Sequence, residues 1–385
     1  MVRKILLYFL IFLGTFLIYK NIYPDPRNWY DHYLYQARSF LLGRVDIPDL
    51  PDYYQDKFEL DGKIYTPFPP IPALFLAPIV KIFPDITQQK VSIIVGALNA
   101  VLVFVLLSNY TSSKKAFLLT IFFSFGTVAF WSSIVGTTWY FAHNVAIFFL
   151  VSSLIAFKNK LDFLSGLFFA LAVLSRYPIL VGGLFFALEL FKEKKRLFYF
   201  LCGAFLAIPA QFYYDFIRFG SFLETGYVTV YESYVHSSYP FTFMQLINPS
   251  APYFGYMDIR NIPLHLFTFL AYPPIIEQSL KIMPSPYGMG IIFTTPLLFL
   301  ALKPIFTTSL ERNLFIGAVA IALVEFMHYA QGWVQFGYRF ALDFMPFLLI
   351  LLALRFKSIF KHIILLIISI FASTWGTLWA IKLGW

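Results

Sequence analysis

The chain has 385 residues, of which 59% are hydrophobic and only 13% are charged. Soluble domains carry about 25% charged residues, so this composition excludes an ordinary soluble globular protein. A helix that crosses a bilayer needs about 20 predominantly apolar residues, and several segments reach that length. The net charge of +9 does not indicate nucleic-acid binding, because Lys and Arg gather in the cytoplasmic loops of membrane proteins.

The first apolar run covers residues 4–22 and has a length that suits either a signal peptide or a membrane span. No cleavage site of small residues follows it, so we expect it to be retained as the first span. The single cysteine of the chain, Cys202, lies within a later apolar run. It therefore forms no disulfide within the chain.

The remaining apolar segments extend the prediction to about 11 spans. Two of them are short helices that turn at the sequence SRYP within residues 161–191. The other predicted spans lie at residues 4–22, 89–108, 115–135, 141–157, 197–217, 289–303, 313–330, 338–354 and 361–381.

One further apolar segment, PPIPALFLAPIVKIF at Pro69–Phe83, fits either a span or a helix at the membrane surface, because it is short and interrupted by proline. The basic residues favour the surface helix. If this segment does not cross, every Lys and Arg cluster falls on the side of Arg3 and Lys4, which is cytoplasmic under the positive-inside rule. Tryptophan favours membrane interfaces, and all seven lie at outer ends: Trp29, Trp131, Trp139, Trp333, Trp375, Trp379 and Trp385.

This topology places the N-terminus in the cytoplasm and the C-terminus outside, with two large extracytoplasmic loops at residues 24–88 and 218–288. The second loop is rich in Tyr and Pro, which suit either sugar and headgroup contacts or anchoring at the interface. The first loop is acidic, and we expect most of its carboxylates to be solvated. Those before the Pro69–Phe83 segment are Asp25, Asp31, Asp46, Asp49, Asp52, Asp56, Glu59 and Asp61.

Asp31 differs from the other loop acids in its position. The stretch from Trp29 to Leu42 lacks Pro and Gly, its apolar residues recur with the period of a helix, and Gly43 follows as a C-terminal cap. Asp31 lies in the first turn of this predicted helix, where a carboxylate also interacts favourably with the helix dipole. A role at the helix start and a functional role therefore both fit this residue.

The sequence YDHYLYQARSFLLGR resembles the opening of the first outer loop in GT-C glycosyltransferases, which use sugars linked to polyprenyl phosphate. The matching positions are Asp31, Tyr35, Ala37, Leu42 and Gly43. The similarity is to protein O-mannosyltransferases and to lipid A aminoarabinose transferases. His32 is a departure, because those families usually place Glu beside the aspartate.

Two further segments support the resemblance. TPFPPIPALFLAP at Thr66–Pro78 is similar to a PP motif that precedes a juxtamembrane helix in those families, which agrees with the surface placement above. GWVQFGYRFALDFMPFLL at Gly332–Leu349 is similar to a motif of bacterial GT-C relatives with an RgtA/B-like domain. The middle of the chain matches only in its hydropathy.

The resemblance implies an all-α polytopic membrane protein, with one GT-C-type domain over residues 1–385 and juxtamembrane helices in its first loop. It also implies a hexosyl- or pentosyltransferase that inverts the sugar as it moves it from a polyprenyl-phosphate donor to an acceptor hydroxyl. The acceptor would be a glycan, a lipid or a protein. The active site would face outward from the plasma (inner) membrane, among membrane lipids, and no nucleic-acid partner is expected.

Under this reading Asp31 is the candidate general base for the acceptor hydroxyl. Arg339 and Arg176 are candidates for binding the donor phosphate, because the guanidinium group offers a fork of donors. Asp343 lies four residues after Arg339, so an ion pair on one helix is the alternative for that arginine.

Tyr35, Trp139, His143 and Tyr338 are the candidates for substrate contacts. For the histidine, a satisfied position at the end of a span is the alternative. The sequence contains neither an HExxH nor a CxxC pattern, so no metal site and no cofactor are predicted. A divalent metal is left open.

The alternative function is a transporter or flippase of a lipid-linked sugar. Transporters usually place polar or broken segments at the middle of the membrane, often in repeated halves. In this sequence the polar residues gather in loops on one face and no repeated halves are visible, which favours chemistry at the membrane surface.

Overall fold

The computed structural model describes residues 2–24, 30–235, 253–332 and 334–385. Asp25, Trp29 and Trp333 therefore lie outside the described residues, as does the 236–252 part of the predicted second loop. Helices dominate the described residues, and we number them in chain order.

The first half of the chain contains α1 (Val2–Ile22), α2 (His32–Leu41), α3 (Ile71–Ile82), α4 (Gln88–Ser108), α5 (Ser113–Phe125), α6 (Ala129–Val135), α7 (Thr138–Lys158), α8 (Asp162–Val173) and α9 (Gly183–Leu190). The second half contains α10 (Lys194–Phe219), α11 (Tyr227–Val235), α12 (Ile262–Leu270), α13 (Ile291–Thr294), α14 (Phe299–Leu302), α15 (Ser309–Phe326), α16 (Ala341–Arg355) and α17 (Ile359–Lys382). Two short antiparallel hairpins pair β1 (Phe58–Leu60) with β2 (Lys63–Tyr65) and β3 (Ile275–Ile276) with β4 (Ile282–Met283).

Five of the described helices are long and apolar enough to cross a membrane, namely α1, α4, α7, α10 and α17. The pair α5 and α6 adds a sixth if it forms one span, with a bend of 55° between its halves. The chain is thus a multi-pass membrane protein of mainly helical structure. The larger total of about 11 spans stays a prediction.

The bend between α5 and α6 replaces the continuous helix that was predicted over residues 115–135. The hydroxyl of Thr127, at the break, donates a hydrogen bond of 2.7 Å to the carbonyl oxygen of Phe123. A hydroxyl that bonds to the carbonyl four residues back competes with the backbone ladder and bends helices.

The predicted span at residues 289–303 is also wrong as a continuous helix. It divides into α13, a 3-10 turn at Pro296–Leu298 and α14. Pro296 lacks a backbone donor and disfavours helical geometry at the residue before it. Thr295 accordingly has φ −142° and ψ 57°, outside the helical region.

The first loop carries the two short helices that the sequence predicted. Helix α2 ends at Leu41, and Gly43 follows with a φ of +70°, as expected of a C-terminal cap. Helix α3 has 12 residues, fewer than the about 20 that a bilayer requires. It packs against α2 and also joins residues of α4 and α7 in one hydrophobic cluster, so the placement of the Pro69–Phe83 segment at the membrane surface stays a prediction.

Two glycines allow α8 and α10 to lie in close contact. A Cβ added at Gly166 would come within 1.8 Å of the carbonyl oxygen of Phe200, and one at Gly203 within 1.9 Å of the carbonyl oxygen of Phe163. Small residues let helix backbones approach in this way inside membranes.

Helix α16 lies at the centre of the bundle. Every residue from Ala341 to Ala353 is buried, and the apolar ones belong to the largest hydrophobic cluster. A helix that is apolar on all sides is expected at such a position. The turn directly before α16 therefore lies at one end of this central helix. Arg339 is part of this turn.

Candidate functional site

A cavity of about 710 Å³ lies where the first loop meets the ends of the bundle helices. This volume is typical of small-molecule sites, which measure about 300–1,000 Å³. Aromatic side chains form much of its wall, and the loop, α7, α11 and the turn before α16 all contribute. The aromatic residues include Tyr30, Phe68, Trp139, Tyr140, Tyr227 and Phe340.

Asp56 is the carboxylate that the first loop presents to this cavity. Trp139 Nε1 donates to Asp56 Oδ2 at 2.7 Å, and the Tyr234 hydroxyl donates to Asp56 Oδ1 at 2.6 Å. The backbone N–H of Asp56 in turn donates to the Tyr234 oxygen at 2.7 Å. Burial raises the pKa of Asp56, while the two hydrogen bonds and the charge of Arg339 oppose the increase.

His32 holds the residue that precedes Asp56. Its Nε2 lies 2.7 Å from the carbonyl oxygen of Gln55, and its Nδ1 lies 2.8 Å from the hydroxyl of Thr138. Burial lowers the pKa of His32 to about 3, so the ring is neutral. Because Gln55 offers only a carbonyl oxygen here, we assign the ring proton to Nε2. The histidine thus links the start of α2, the start of α7 and the loop that carries Asp56.

Arg339 enters the cavity from the turn before α16. Its guanidinium carbon lies 5.9 Å from the ring centre of Trp139, 5.7 Å from that of Tyr140 and 5.2 Å from that of Phe340. The faces of aromatic rings attract cations at such distances. Arg339 is thus a cation held among aromatic walls.

Gly332 and residues 334–339 belong to the turn that positions this arginine. The backbone N–H of Arg339 donates to Gln335 Oε1 at 3.2 Å, and Gln335 Nε2 donates to the carbonyl oxygen of Gln331 at 2.7 Å. Gly332 has a φ of +97°, and a Cβ there would lie 2.6 Å from Gln335 Nε2. The glycine is therefore required by both the backbone conformation and the space that the glutamine occupies.

Arg176 also lines the cavity, but two carboxylates hold it. Its Nε donates to Asp343 Oδ2 at 2.9 Å, and its Nη2 donates to Glu325 Oε1 at 2.8 Å. The other oxygen of Asp343 lies 2.6 Å from His143 Nδ1. The ion pair considered from the sequence, between Asp343 and Arg339, is replaced by this network, since Arg339 precedes the first turn of α16.

The cavity brings together three of the residues predicted from the sequence, namely Trp139, Arg176 and Arg339. The other four predicted residues are not among its lining residues. His143 is buried beside Asp343, and Tyr338 is buried with its hydroxyl 2.7 Å from His265 Nδ1. Tyr35 packs edge-on against Tyr54 on the loop side of α2.

Asp31, the fourth of these residues, is only 5% exposed and lies at the start of α2. Its backbone N–H donates to the Tyr54 hydroxyl at 3.0 Å, and its side chain makes no capping hydrogen bond to the helix. Burial raises the pKa of Asp31 to about 7, with a smaller opposing effect from the charge of Arg38. The structure thus places Asp31 at the start of the helix, as one of the two sequence interpretations expected.

Sequence reasoning missed the distinction of Asp56 among the acids of the first loop. Nothing in its local pattern separates it from Asp52 or Asp61, because its partners Trp139 and Tyr234 lie 83 and 178 residues away along the chain. The described residues also contain no group of three or more His, Cys, Asp or Glu side chains arranged to hold a metal ion.

Two solved structures share the fold of this chain. One is the crystal structure of the Archaeoglobus fulgidus oligosaccharyltransferase tethered to an acceptor peptide with the NVT sequon; it has a TM-score of 0.53 and 14% identity, over 96% of this chain and 55% of that chain. The other is the oligosaccharyltransferase AglB of the same organism with an inhibitory peptide and a dolichol-phosphate; it has a TM-score of 0.53 and 15% identity, over 98% of this chain and 56% of that chain.

The chain thus spans about half the length of the structures that it matches. No protein-family model matches it, and neither does any curated protein sequence. Identity at this level establishes the fold alone. AglB is a glycosyltransferase of the GT-C superfamily, so the fold of this chain is of the GT-C type.

Proposed function

We propose that this chain is a membrane glycosyltransferase that moves a sugar from a polyprenyl-phosphate donor to an acceptor hydroxyl. The observation that carries the proposal is the cavity, which holds the cation Arg339 and the carboxylate Asp56, each in contact with Trp139. A cation for a departing phosphate and a carboxylate for a hydroxyl proton are the two groups that this transfer needs.

The donor already carries its leaving group. As the acceptor oxygen attacks the anomeric carbon, the bond from that carbon to the phosphate oxygen breaks and negative charge develops on the lipid phosphate. Attack from the face opposite the phosphate inverts the configuration. Arg339 stabilises the developing charge, because a guanidinium group donates two parallel hydrogen bonds to phosphate oxygens.

Arg176 has a weaker claim to the phosphate than the sequence suggested. Its Nε and Nη2 donate to Asp343 and Glu325, so nearby carboxylates compensate its charge. We propose that it contacts the donor only through its remaining donors and that it also fixes the wall of the cavity. The main phosphate ligand is then Arg339.

A carboxylate of the first loop takes the acceptor proton. The loop holds two candidates, which are Asp31 from the sequence and Asp56 from the cavity. Both have a pKa raised by burial, which brings a carboxylate closer to the working pH of a general base. The stabilisation of the phosphate and the removal of the acceptor proton are thus both assigned to side chains of this chain.

The comparison supports a lipid-linked donor, because one of the similar structures holds a dolichol-phosphate. The other is tethered to an acceptor peptide. For this chain we propose a polyprenyl-phosphate sugar as donor, a hydroxyl of a glycan, lipid or protein as acceptor, and an extracytoplasmic site on the plasma membrane. The alternative of a flippase is not favoured, because both similar structures are transferases.

The test uses purified protein in detergent, which has no two sides and therefore abolishes transport. A panel of polyprenyl-phosphate hexoses and pentoses is added with extracted membrane glycans and lipids as acceptors, and released polyprenyl phosphate is measured. We expect turnover of at least one donor. The absence of both turnover and saturable donor binding across the panel would contradict the proposal.

The same assay tests the phosphate ligand. Loss of a hydrogen bond to a charged group costs about 1.5–3 kcal/mol, so Arg339→Gln is expected to lower kcat/KM for the donor about 10- to 100-fold. Arg339→Lys keeps the charge but loses the fork and should fall between. Arg312→Gln, at an exposed position on α15, is the matched control and should leave kcat/KM unchanged.

A further inference from the structure

We propose that Asp56, rather than Asp31, is the general base that takes the proton from the acceptor hydroxyl. This inference rests on the proposed function and names the residue that performs one of its steps. The argument begins with access. Asp56 is partly exposed and lines the cavity, so its carboxylate can touch a ligand there, whereas Asp31 is not among the lining residues.

The hydrogen bonds of Asp56 fix its carboxylate without saturating it. One oxygen accepts from Trp139 and the other from Tyr234. A carboxylate accepts about four hydrogen bonds through its two oxygens, so lone pairs remain for an incoming hydroxyl. The two donors come from α7 and α11, and they lock the group from two sides.

The backbone around this carboxylate is strained in the manner of functional sites. Six described residues other than glycine have positive φ, and three of these line the cavity. They are Tyr30 at +65°, Asp56 at +53° and Val334 at +48°. Such conformations cost about 1–3 kcal/mol each and cluster where function requires a fixed geometry. For a bulky tyrosine and a β-branched valine they are uncommon.

Asp56 also lies within the electrostatic reach of the proposed phosphate ligand. The charge of Arg339 lowers the pKa of Asp56 against the effect of burial. By contrast, the charge that acts on Asp31 is that of Arg38, on the loop helix α2. The base and the phosphate cation must reach one bound substrate, and of the two candidates only Asp56 lines the same cavity as Arg339.

The transfer of the sugar to the acceptor conserves atoms and charge. The acceptor oxygen forms a bond to the anomeric carbon, and the bond from that carbon to the phosphate oxygen breaks. The phosphate leaves with the electron pair of that bond. The hydroxyl proton passes to the Asp56 carboxylate and later returns to water.

His32 is the positioning residue for this base. Its Nε2 donates to the carbonyl oxygen of Gln55, directly before Asp56. Its backbone N–H donates to the hydroxyl oxygen of Thr138, directly before Trp139, and its Nδ1 is the acceptor that faces this hydroxyl. One neutral ring thus connects the base with the indole that donates to it. This accounts for the histidine at the position where the similar families usually have Glu.

The decisive experiment compares Asp56→Asn with Asp31→Asn in purified protein, and Asp52→Asn serves as the control because the Asp52 side chain is fully exposed. General-base catalysis contributes about 10²–10⁴-fold. We expect Asp56→Asn to reduce kcat by about that factor with unchanged donor affinity. Asp31→Asn and Asp52→Asn should retain turnover within about tenfold of the unsubstituted protein.

Azide separates a lost base from general damage. It is already an anion, so it attacks the anomeric carbon without giving up a proton. With added azide, Asp56→Asn should release polyprenyl phosphate and form the inverted glycosyl azide. The rate of this reaction should exceed the rate at which the same variant transfers the sugar to the natural acceptor. Turnover by Asp56→Asn at the original rate, or azide rescue of Asp31→Asn alone, would overturn the assignment.

A second pair of variants covers the case in which Asp56→Asn does not fold. Trp139→Phe and Tyr234→Phe each remove one donor to the carboxylate, which raises the pKa of Asp56. The rise of kcat with pH must then move to higher pH, and an unmoved rise overturns the inference. The other groups that act on Asp56 are Arg339, Tyr227 and Tyr329, and burial raises the pKa of both tyrosines, so they stay neutral.

These outcomes distinguish the two proposals. If the unsubstituted protein neither binds nor turns over any lipid-phosphate sugar, the proposed function fails. If it turns over a donor and Asp56→Asn does so equally well, only the assignment of the base fails.

Discussion

Trp139 Nε1 donates a hydrogen bond of 2.7 Å to Asp56 Oδ2, and the same indole ring lies 5.9 Å from the guanidinium carbon of Arg339. One side chain at the start of α7 therefore touches both the carboxylate and the cation of the cavity. This fixes the separation of the two charges through a rigid ring, instead of through two flexible chains that meet directly.

Trp139→Phe should lower kcat about tenfold or more, since it removes a hydrogen bond to a charged group worth about 1.5–3 kcal/mol. The aromatic face next to Arg339 remains, so the KM for the donor should change little. Initial rates against donor concentration measure both quantities. Trp379→Phe, on α17 away from the cavity lining, is the matched control; an equal loss in both variants would show that the hydrogen bond is not responsible.

Asp343→Asn should destabilise the bundle, because Asp343 is fully buried and bonds to both Arg176 and His143. Removal of one partner from a buried ion pair costs about 3–5 kcal/mol. The midpoint of thermal unfolding in detergent measures the loss.

The control for this variant is Glu193→Gln. Glu193 pairs with Arg196 at 3.0 Å, but its side chain is 53% exposed, and exposed pairs contribute about 0–1 kcal/mol. A midpoint for Asp343→Asn that matches the control would mean that the buried network adds no net stability.

Asp31→Asn should increase the stability of the protein over that of the unsubstituted chain, and this increase should be larger at pH 8 than at pH 5. Burial raises the pKa of Asp31 from 3.8 to about 7, so the folded state keeps a proton that the unfolded state loses. Stability from this group is therefore complete below about pH 4 and falls as the pH rises to about 7. Thermal unfolding of both proteins at the two pH values measures the difference, and a difference independent of pH would contradict the expectation.

The orientation of the chain is tested by cysteine labelling in a Cys202→Ser background. Lys194 and Glu59 are both exposed, and the predicted topology places them on opposite faces of the membrane. In sealed vesicles with the outer face outward, an impermeant maleimide should label Glu59→Cys and not Lys194→Cys. Labelling of Lys194→Cys before the vesicles are opened would reverse the assignment.

Much of the architecture followed from the sequence. Hydropathy located the long helices, and the proline content and shortness of the Pro69–Phe83 segment anticipated a short helix, which is α3 with 12 residues. These properties are local, since each depends on residues within one or two helical turns. The two helices that were wrongly predicted as continuous also have local causes. At Thr127 a side-chain hydroxyl competes for a backbone carbonyl oxygen, and at Pro296 a backbone donor is missing. Each interrupts the ladder of backbone hydrogen bonds.

The candidate site also combines features that local sequence predicts with features that depend on long-range packing. The sequence by itself determined the membrane helices, the acidic first loop and three of the residues that line the cavity, Trp139, Arg176 and Arg339. Only the tertiary structure decided that Asp56 faces the cavity, and that Asp343 binds Arg176 instead of Arg339. The reason is physical: which carboxylate meets which donor depends on how distant segments pack, and the acids of one polar loop look alike until that packing places Asp56 in the cavity beside Trp139 and Arg339.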